Sequence, residues 1–402
     1  MPSMKHSLLP LIACLACWST SAVARAPLSD QQASELAGYV AAHADTPEQY
    51  VVNKLARYDV VFLAEDHAIK HNLLLVQRLV PLLYQAGVYT LGMEFGASED
   101  QSELDELVTA KRYDATRARR LMFNYNVGWP YREYMDIYRA AWNLNRSLPP
   151  GARKFRVLNL SYQYDWSAYA GNRTPEVFAR VHFRGNPEVY RAEVVRREIL
   201  AKGEKILILA GNSHAFTRYA QPVDDYLSVG FYRLETRYMG GLLYQQVPTK
   251  VFTIQLHRAF DSQTGGGAEL LHPADGAVEQ VMSRLPGRRV GFDLVDTPLG
   301  ELRDHSYYAI GHPDLRLGDL ADGYIYERPL SEFESCTVDP GFVTAANWQE
   351  TRRRYPDFPP LDPWPATPRE YLHKLEEAGD VAKRYRLLIK SFASEEELTS
   401  HP

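Results

Sequence analysis

Short apolar runs alternate with longer amphipathic segments along most of the chain. VVFLA (60–64), YTLGMEF (89–95), FRVLNL (155–160), KILILAG (205–211) and KVFTIQLH (250–257) are mostly continuous in apolar character, and RRVGFDLVD (288–296) is a sixth run of the kind. Strands buried on both faces read this way, whereas half-exposed strands alternate. The segments between them have helical spacing. Ser29-Asp30 can cap a helix carrying Ala33, Leu36, Ala37 and Val40, and Thr46-Pro47-Glu48 opens a second. Leu73, Leu74, Val76, Leu79, Val80 and Leu83 form one apolar stripe that stops at Gly87, and a charged helix is predicted over about 175–201. Strands alternating with helices predict an α/β fold with a mainly parallel sheet covered by helices, its crossovers right-handed and its strands all pointing one way.

Residues 100–150 are longer than one crossover requires. Leu104, Leu107 and Val108, then Tyr131, Tyr134, Ile137, Tyr138 and Trp142, predict a helical insertion over the sheet edge, a candidate lid. Beyond 300 the chain turns rich in Pro, Tyr and Asp, with Pro356, Pro359, Pro360, Pro363 and Pro365 close together. It reads as a C-terminal extension (301–402) packed on the core (27–300), with a last helix near 368–391. Gly265-Gly266-Gly267 reads as a flexible loop.

The N-terminus is built differently. MPSMKHSLLPLIACLACWSTSAVARA has a basic start, an apolar stretch from Leu8 to Trp18 and small residues ending at Ala26, the anatomy of a secretory signal peptide. The expected product is exported, to the periplasm or outer membrane or beyond. No later run approaches about 18 apolar residues, so no spanning helix is predicted. Leu11-Ile12-Ala13-Cys14 has the form of a lipoprotein cleavage box, so a lipid anchor on Cys14 is the one membrane attachment considered. Cys14 and Cys17 lie in the signal. Cys336 then remains alone, reads as a small buried residue, and leaves no internal disulfide. A formal charge of −5 gives no reason to expect nucleic acid.

In an open parallel sheet, ligands gather beyond the carboxyl ends of the strands. Five of the predicted strands end in polar or titratable groups: Glu65-Asp66-His67, Glu94, Asn159, Asn212-Ser213-His214 and His257. Glu65 and His67 are two residues apart, so an extended backbone points them the same way. Such groups are costly to bury singly and tolerable when paired or bound to a cation. Glu65, His67, Glu94 and His214 are therefore the candidate catalytic residues, and equally the candidate ligands of a divalent metal. Asp66 reads as a helix N-cap, and Asn212 and Ser213 as either turn residues or site residues. His71 shares a helix face with His67 only if the helix starts by residue 67. GxGxxG, GxxxxGK[ST], GxSxG and HExxH are absent from the sequence.

LAEDHAIKHNLLLVQRLVPLL, GMEFGASEDQSELDEL, WPYREYMDIYRAAWNLN and LILAGNSHA follow one another in the order found in ChaN-like proteins. Over about residues 55–260 the chain resembles that family, within the wider superfamily of Tiki/TraB proteins and erythromycin esterases. Glu65 and His67 match the first signature, Glu94 the second and His214 the third. Ala64 stands where the first signature usually has Gly, and the region after 300 has no counterpart. The resemblance implies two functions. One is a hydrolase of small-molecule or peptide substrates, metal-assisted or His/Glu-catalysed. The other is haem or iron binding, with a homodimer as a candidate state. His71, Asn212 and Tyr134 are the candidate cofactor contacts, and the aromatic helix of the insertion a candidate wall for a planar ligand, though packing against the sheet explains that stripe as well.

Overall fold

The structure, a computed structural model, describes residues 28–169, 174–224, 232–263, 269–356, 359 and 361–385. The expected signal peptide, Cys14 and the triple-glycine loop lie outside the described residues. Seven strands form the central sheet: β1 (Val60–Glu65), β2 (Thr90–Ala97), β3 (Arg156–Ser161), β4 (Ile206–Gly211), β5 (Val251–Leu256), β6 (Val290–Asp293) and β7 (Gly323–Tyr326). Their order is β6-β7-β5-β1-β4-β2-β3. All neighbours are parallel except β6, which runs antiparallel to β7 at the edge. The expectation that every strand points one way therefore fails at β6.

The continuous apolar runs are buried on both faces, as such runs require. Val61, Leu63, Leu207 and Leu209 face one side, where α2 (Pro47–Arg57), α3 (Lys70–Gln85) and the insertion pack. Val60, Phe62, Ala64, Ile206, Ile208 and Ala210 face the other. α1 (Asp30–His43) starts at Ser29 through a capping box with Gln32, and α2 starts at Thr46 with Pro47 in its first turn, as read from the sequence. The expected charged helix is two, α7 (Pro175–Val181) and α8 (Pro187–Glu198), separated by a turn in which Gly185 takes φ +89°.

The insertion is three helices, α4 (Gln101–Thr109), α5 (Ala115–Tyr125) and α6 (Arg132–Ser147). Tyr134 and Tyr138 are fully buried in the main core, so α6 is a structural layer and not a lid. The segment after 300 does more than wrap the surface: it supplies β7, and Phe333, Phe342, Tyr371 and Tyr385 enter the core. Residue 300 is thus no boundary of the core. Residues 334–338 run beside the loop after β1, with Lys70 N–H donating to Glu334 O at 2.9 Å and Cys336 N–H to Ala68 O at 2.8 Å. Among the described residues no helix is long and apolar enough to cross a membrane.

Candidate functional site

β4 lies between β1 and β2, so the chain reverses its outward progression beside β1. That is the position at which an open sheet leaves a crevice. Parallel register sets Glu65 opposite Gly211 and Met93 opposite Leu209. Between Met93 and Ala97 the register of β2 against β3 shifts. Such a bulge re-aims a side chain. Asn159 pins it, donating to Ala97 O at 2.8 Å and leaving no room for a Cβ on Gly96. Asn159 is therefore a structural residue of the rim.

Glu65 and His67 meet as their spacing predicts. His67 Nδ1 lies 3.0 Å from Glu65 Oε1, and Tyr134 Oη donates to the same oxygen at 2.7 Å. Glu65 is fully buried and its Oε2 has no partner among the described residues. Burial raises its pKa above the usual carboxylate range. His67 is the exposed member, its side chain 37% accessible. Burial alone would lower the imidazole pKa, but the Glu65 hydrogen bond and charge outweigh it and hold it above its ordinary value. The ring stands edge-on to Phe95 and Trp129 and lies against Gly211, where a Cβ would come within 2.8 Å of Nε2. Nδ1 is thus occupied by a carboxylate, and among the described residues Nε2 takes part in no hydrogen bond.

Glu94 and His214 also meet, but in a separate arrangement. His214 Nε2 is 3.1 Å from Glu94 Oε1 and its Nδ1 is 3.0 Å from Glu188 Oε2. Arg191 pairs with Glu188 and reaches Glu94 at 3.4 Å, Ser161 Oγ at 2.9 Å and Tyr164 Oη at 3.1 Å. Gly211 N–H donates to Glu94 Oε2 at 2.8 Å. Two carboxylates and two cations thus form a charge-balanced quartet. Burial opposes ionisation of Glu94, but the charges of His214 and Arg191 hold it far below the usual range. The same carboxylates lift His214 to about 9 against its burial. The two arrangements adjoin at Gly211, which both imidazole rings touch.

The donor set does not fit a divalent metal. Each nitrogen of His214 faces a carboxylate, and Arg191 sits among the oxygens of Glu94 and Glu188. Among the described residues no group of three or more His, Cys, Asp or Glu could hold an ion.

Three expectations are corrected. His71 is outside the site: α3 begins at Lys70 because Ala68 takes the left-handed φ of 61°, so His67 precedes the helix. His71 instead packs edge-on to Phe333 in the core. Asp66 is not an N-cap, since Ile69 holds that position. Its carboxylate takes Arg384 at 2.8 Å and Tyr385. His257 turns away to Tyr324 Oη at 2.7 Å and Glu279 at 3.0 Å. Asn212 stays at the rim, its Oδ1 accepting from Ser213 N–H and its Nδ2 donating to Tyr308 Oη. Tyr134 belongs to the site as the partner of Glu65. Glu188 and Arg191 were not anticipated. Their i,i+3 spacing was visible, but a helix rich in charge reads as solvated, and only the structure buries this face.

No family model matches the chain, and no curated protein matches it either. Solved structures do resemble it in fold. A Bacillus cereus protein superposes with a TM-score of 0.51 at 12% identity, covering 78% of this chain and 100% of its own. An erythromycin esterase mutant in its open conformation gives 0.47 at 12% identity, over 69% of this chain and 92% of its own. ChaN of Campylobacter jejuni, described with cofacial heme, gives 0.31 at 16% identity, over 52% of this chain and 86% of its own. At 12% identity the likeness to the Bacillus cereus protein is one of fold alone.

Proposed function

We propose that this chain is an exported hydrolase in which His67 is the general base, held by Glu65, and no metal takes part. The observation that carries the reading is the 3.0 Å contact between Glu65 Oε1 and His67 Nδ1, on a His67 side chain that is 37% accessible. A buried carboxylate on Nδ1 fixes the tautomer that has its lone pair on Nε2. That nitrogen takes a proton from water as the water adds to an ester or amide carbonyl of a small-molecule or peptide substrate. Glu65 then stabilises the imidazolium, which returns the proton to the leaving group. Tyr134 holds Glu65, and the quartet of Glu94, Glu188, Arg191 and His214 fixes the floor beneath Gly211.

The test is a panel of chromogenic esters and peptides with the mature protein. Turnover that survives a chelator and falls in Glu65→Gln and His67→Gln supports the reading. Turnover lost to the chelator and restored by a divalent ion would replace it with the metal-assisted one. A haem site fits these residues poorly. Tyr131, Tyr134 and Tyr138 are buried in the core, and Tyr134 Oη is committed to Glu65. Haemin titration separates that second reading, because a saturable Soret band lost in His67→Gln would favour it.

A further inference from the structure

Arg258 follows β5 at the same carboxyl rim, on the side of β1 away from β2. It is 6% exposed, yet its guanidinium is poorly satisfied. Nη1 donates to Tyr308 Oη at 2.7 Å, while Nε is buried and has no hydrogen-bond partner among the described residues. Nη2 forms an ion pair with Asp261 Oδ2 at 3.6 Å, too long for a hydrogen bond. Asp66, whose charge also acts on Arg258, accepts its hydrogen bonds from Arg384 and Tyr385. A buried guanidinium with one good hydrogen bond, an unpartnered Nε and a single long ion pair is costly, and a planar fork of donors matches an oxyanion. The rings of Phe260 and Tyr308 hold its plane, at 5.5 and 5.9 Å.

The fork is tied to the base through one phenol. Tyr308 Oη accepts from Arg258 and from Asn212, and Asn212 directly follows the glycine on which His67 rests. We infer that Arg258, Tyr308 and Asn212 form an oxyanion-binding subsite beside His67, so that the substrate carries a carboxylate or phosphate near its scissile bond. The place of His67 as base rests on the reading above, and the anion site itself does not.

The experiment uses the full mature chain and three probes: inorganic phosphate, acetate and neutral acetamide. Binding is read from the ring-nitrogen resonances of His67, with no turnover needed. Saturable shifts with phosphate or acetate and none with acetamide support the subsite, and the anion that saturates first tells phosphate from carboxylate. Arg258→Gln abolishes the shift, and Arg258→Lys, which keeps charge but loses the fork, weakens it about tenfold. If Arg258→Gln does not fold, Tyr308→Phe is the second variant and weakens binding with Arg258 in place. No saturation by either anion, or an equal response in a folded Arg258→Gln, overturns the inference. Anion binding through Arg258 alongside full turnover in His67→Gln leaves the subsite standing and removes the hydrolase reading instead.

Discussion

Glu65 Oε1 and His67 Nδ1 lie 3.0 Å apart across one turn of extended chain, the acid buried and the imidazole open to solvent. Exchanging the carboxylate for an amide leaves the volume unchanged but reverses the hydrogen-bond preference at Nδ1. Glu65→Gln is expected to cost up to about 10⁴ in kcat, as a wrongly set tautomer does elsewhere. His67→Gln is expected to cost about 10²–10⁴. Steady-state kinetics on the best ester from the panel reads both, with circular dichroism to confirm the fold.

The same contact sets a pH dependence. His67 acts as base only when neutral, and its pKa is raised by Glu65. Activity therefore rises with pH, and its midpoint lies above the ordinary imidazole value of about 6.5. Removing the carboxylate removes the main raising influence, so the residual activity of Glu65→Gln rises at lower pH. A kcat/KM profile from pH 5 to 9 decides this, and an unshifted midpoint in the variant would count against the pairing.

Gly211 gives a steric test. A Cβ there would stand 2.7 Å from His67 Cε1, closer than real contacts allow. In Gly211→Ala the ring must swing away from its seat against Phe95 and Trp129. Turnover should fall about 10²-fold, the usual cost of misplacing a reacting group. The backbone does not need positive φ at this position, so the melting temperature should change little. A large loss of stability with normal specific activity would contradict the geometry.

The site was legible where backbone period and strand position decide it. Glu65 and His67 share a side because they are two residues apart at a strand end, while Glu94 lies on β2 beside β4 and His214 follows the end of β4. What was hidden depended on burial and on single backbone angles. Glu188 and Arg191 looked solvated because nothing in PEVYRAEVVRRE distinguishes the face that packs inward. The left-handed turn at Ala68 delays α3 and so removes His71 from the rim. β7, four residues in a tail dense in proline and tyrosine, was too short to stand out, although Tyr324 and Ile325 are buried.

His214 and its two carboxylates predict how stability follows pH. The His214 pKa is raised from the ordinary 6.5 to about 9, so its contribution is complete below 6.5 and is lost as pH climbs through about 9. Glu94 and Glu188 are depressed, so theirs is complete above 4.5 and is lost as pH falls below it. The quartet is therefore strongest between about pH 4.5 and 6.5. Denaturation midpoints measured from pH 5 to 9.5 should fall on the alkaline side, and His214→Gln should flatten that fall.

Arg191 completes the quartet from within the fold, 4% exposed and bonded to Glu188, Glu94, Ser161 and Tyr164. Replacing it by methionine keeps most of the volume and strands two buried carboxylates with one imidazolium between them. Breaking a buried pair in this way costs about 3–5 kcal/mol. Arg191→Met should therefore lower the denaturant midpoint strongly with little change in slope. Adding Glu188→Gln to it removes one of the stranded charges and should recover part of the loss. Recovery in the double variant separates an electrostatic role from simple packing, because a packing defect would only deepen with a second substitution.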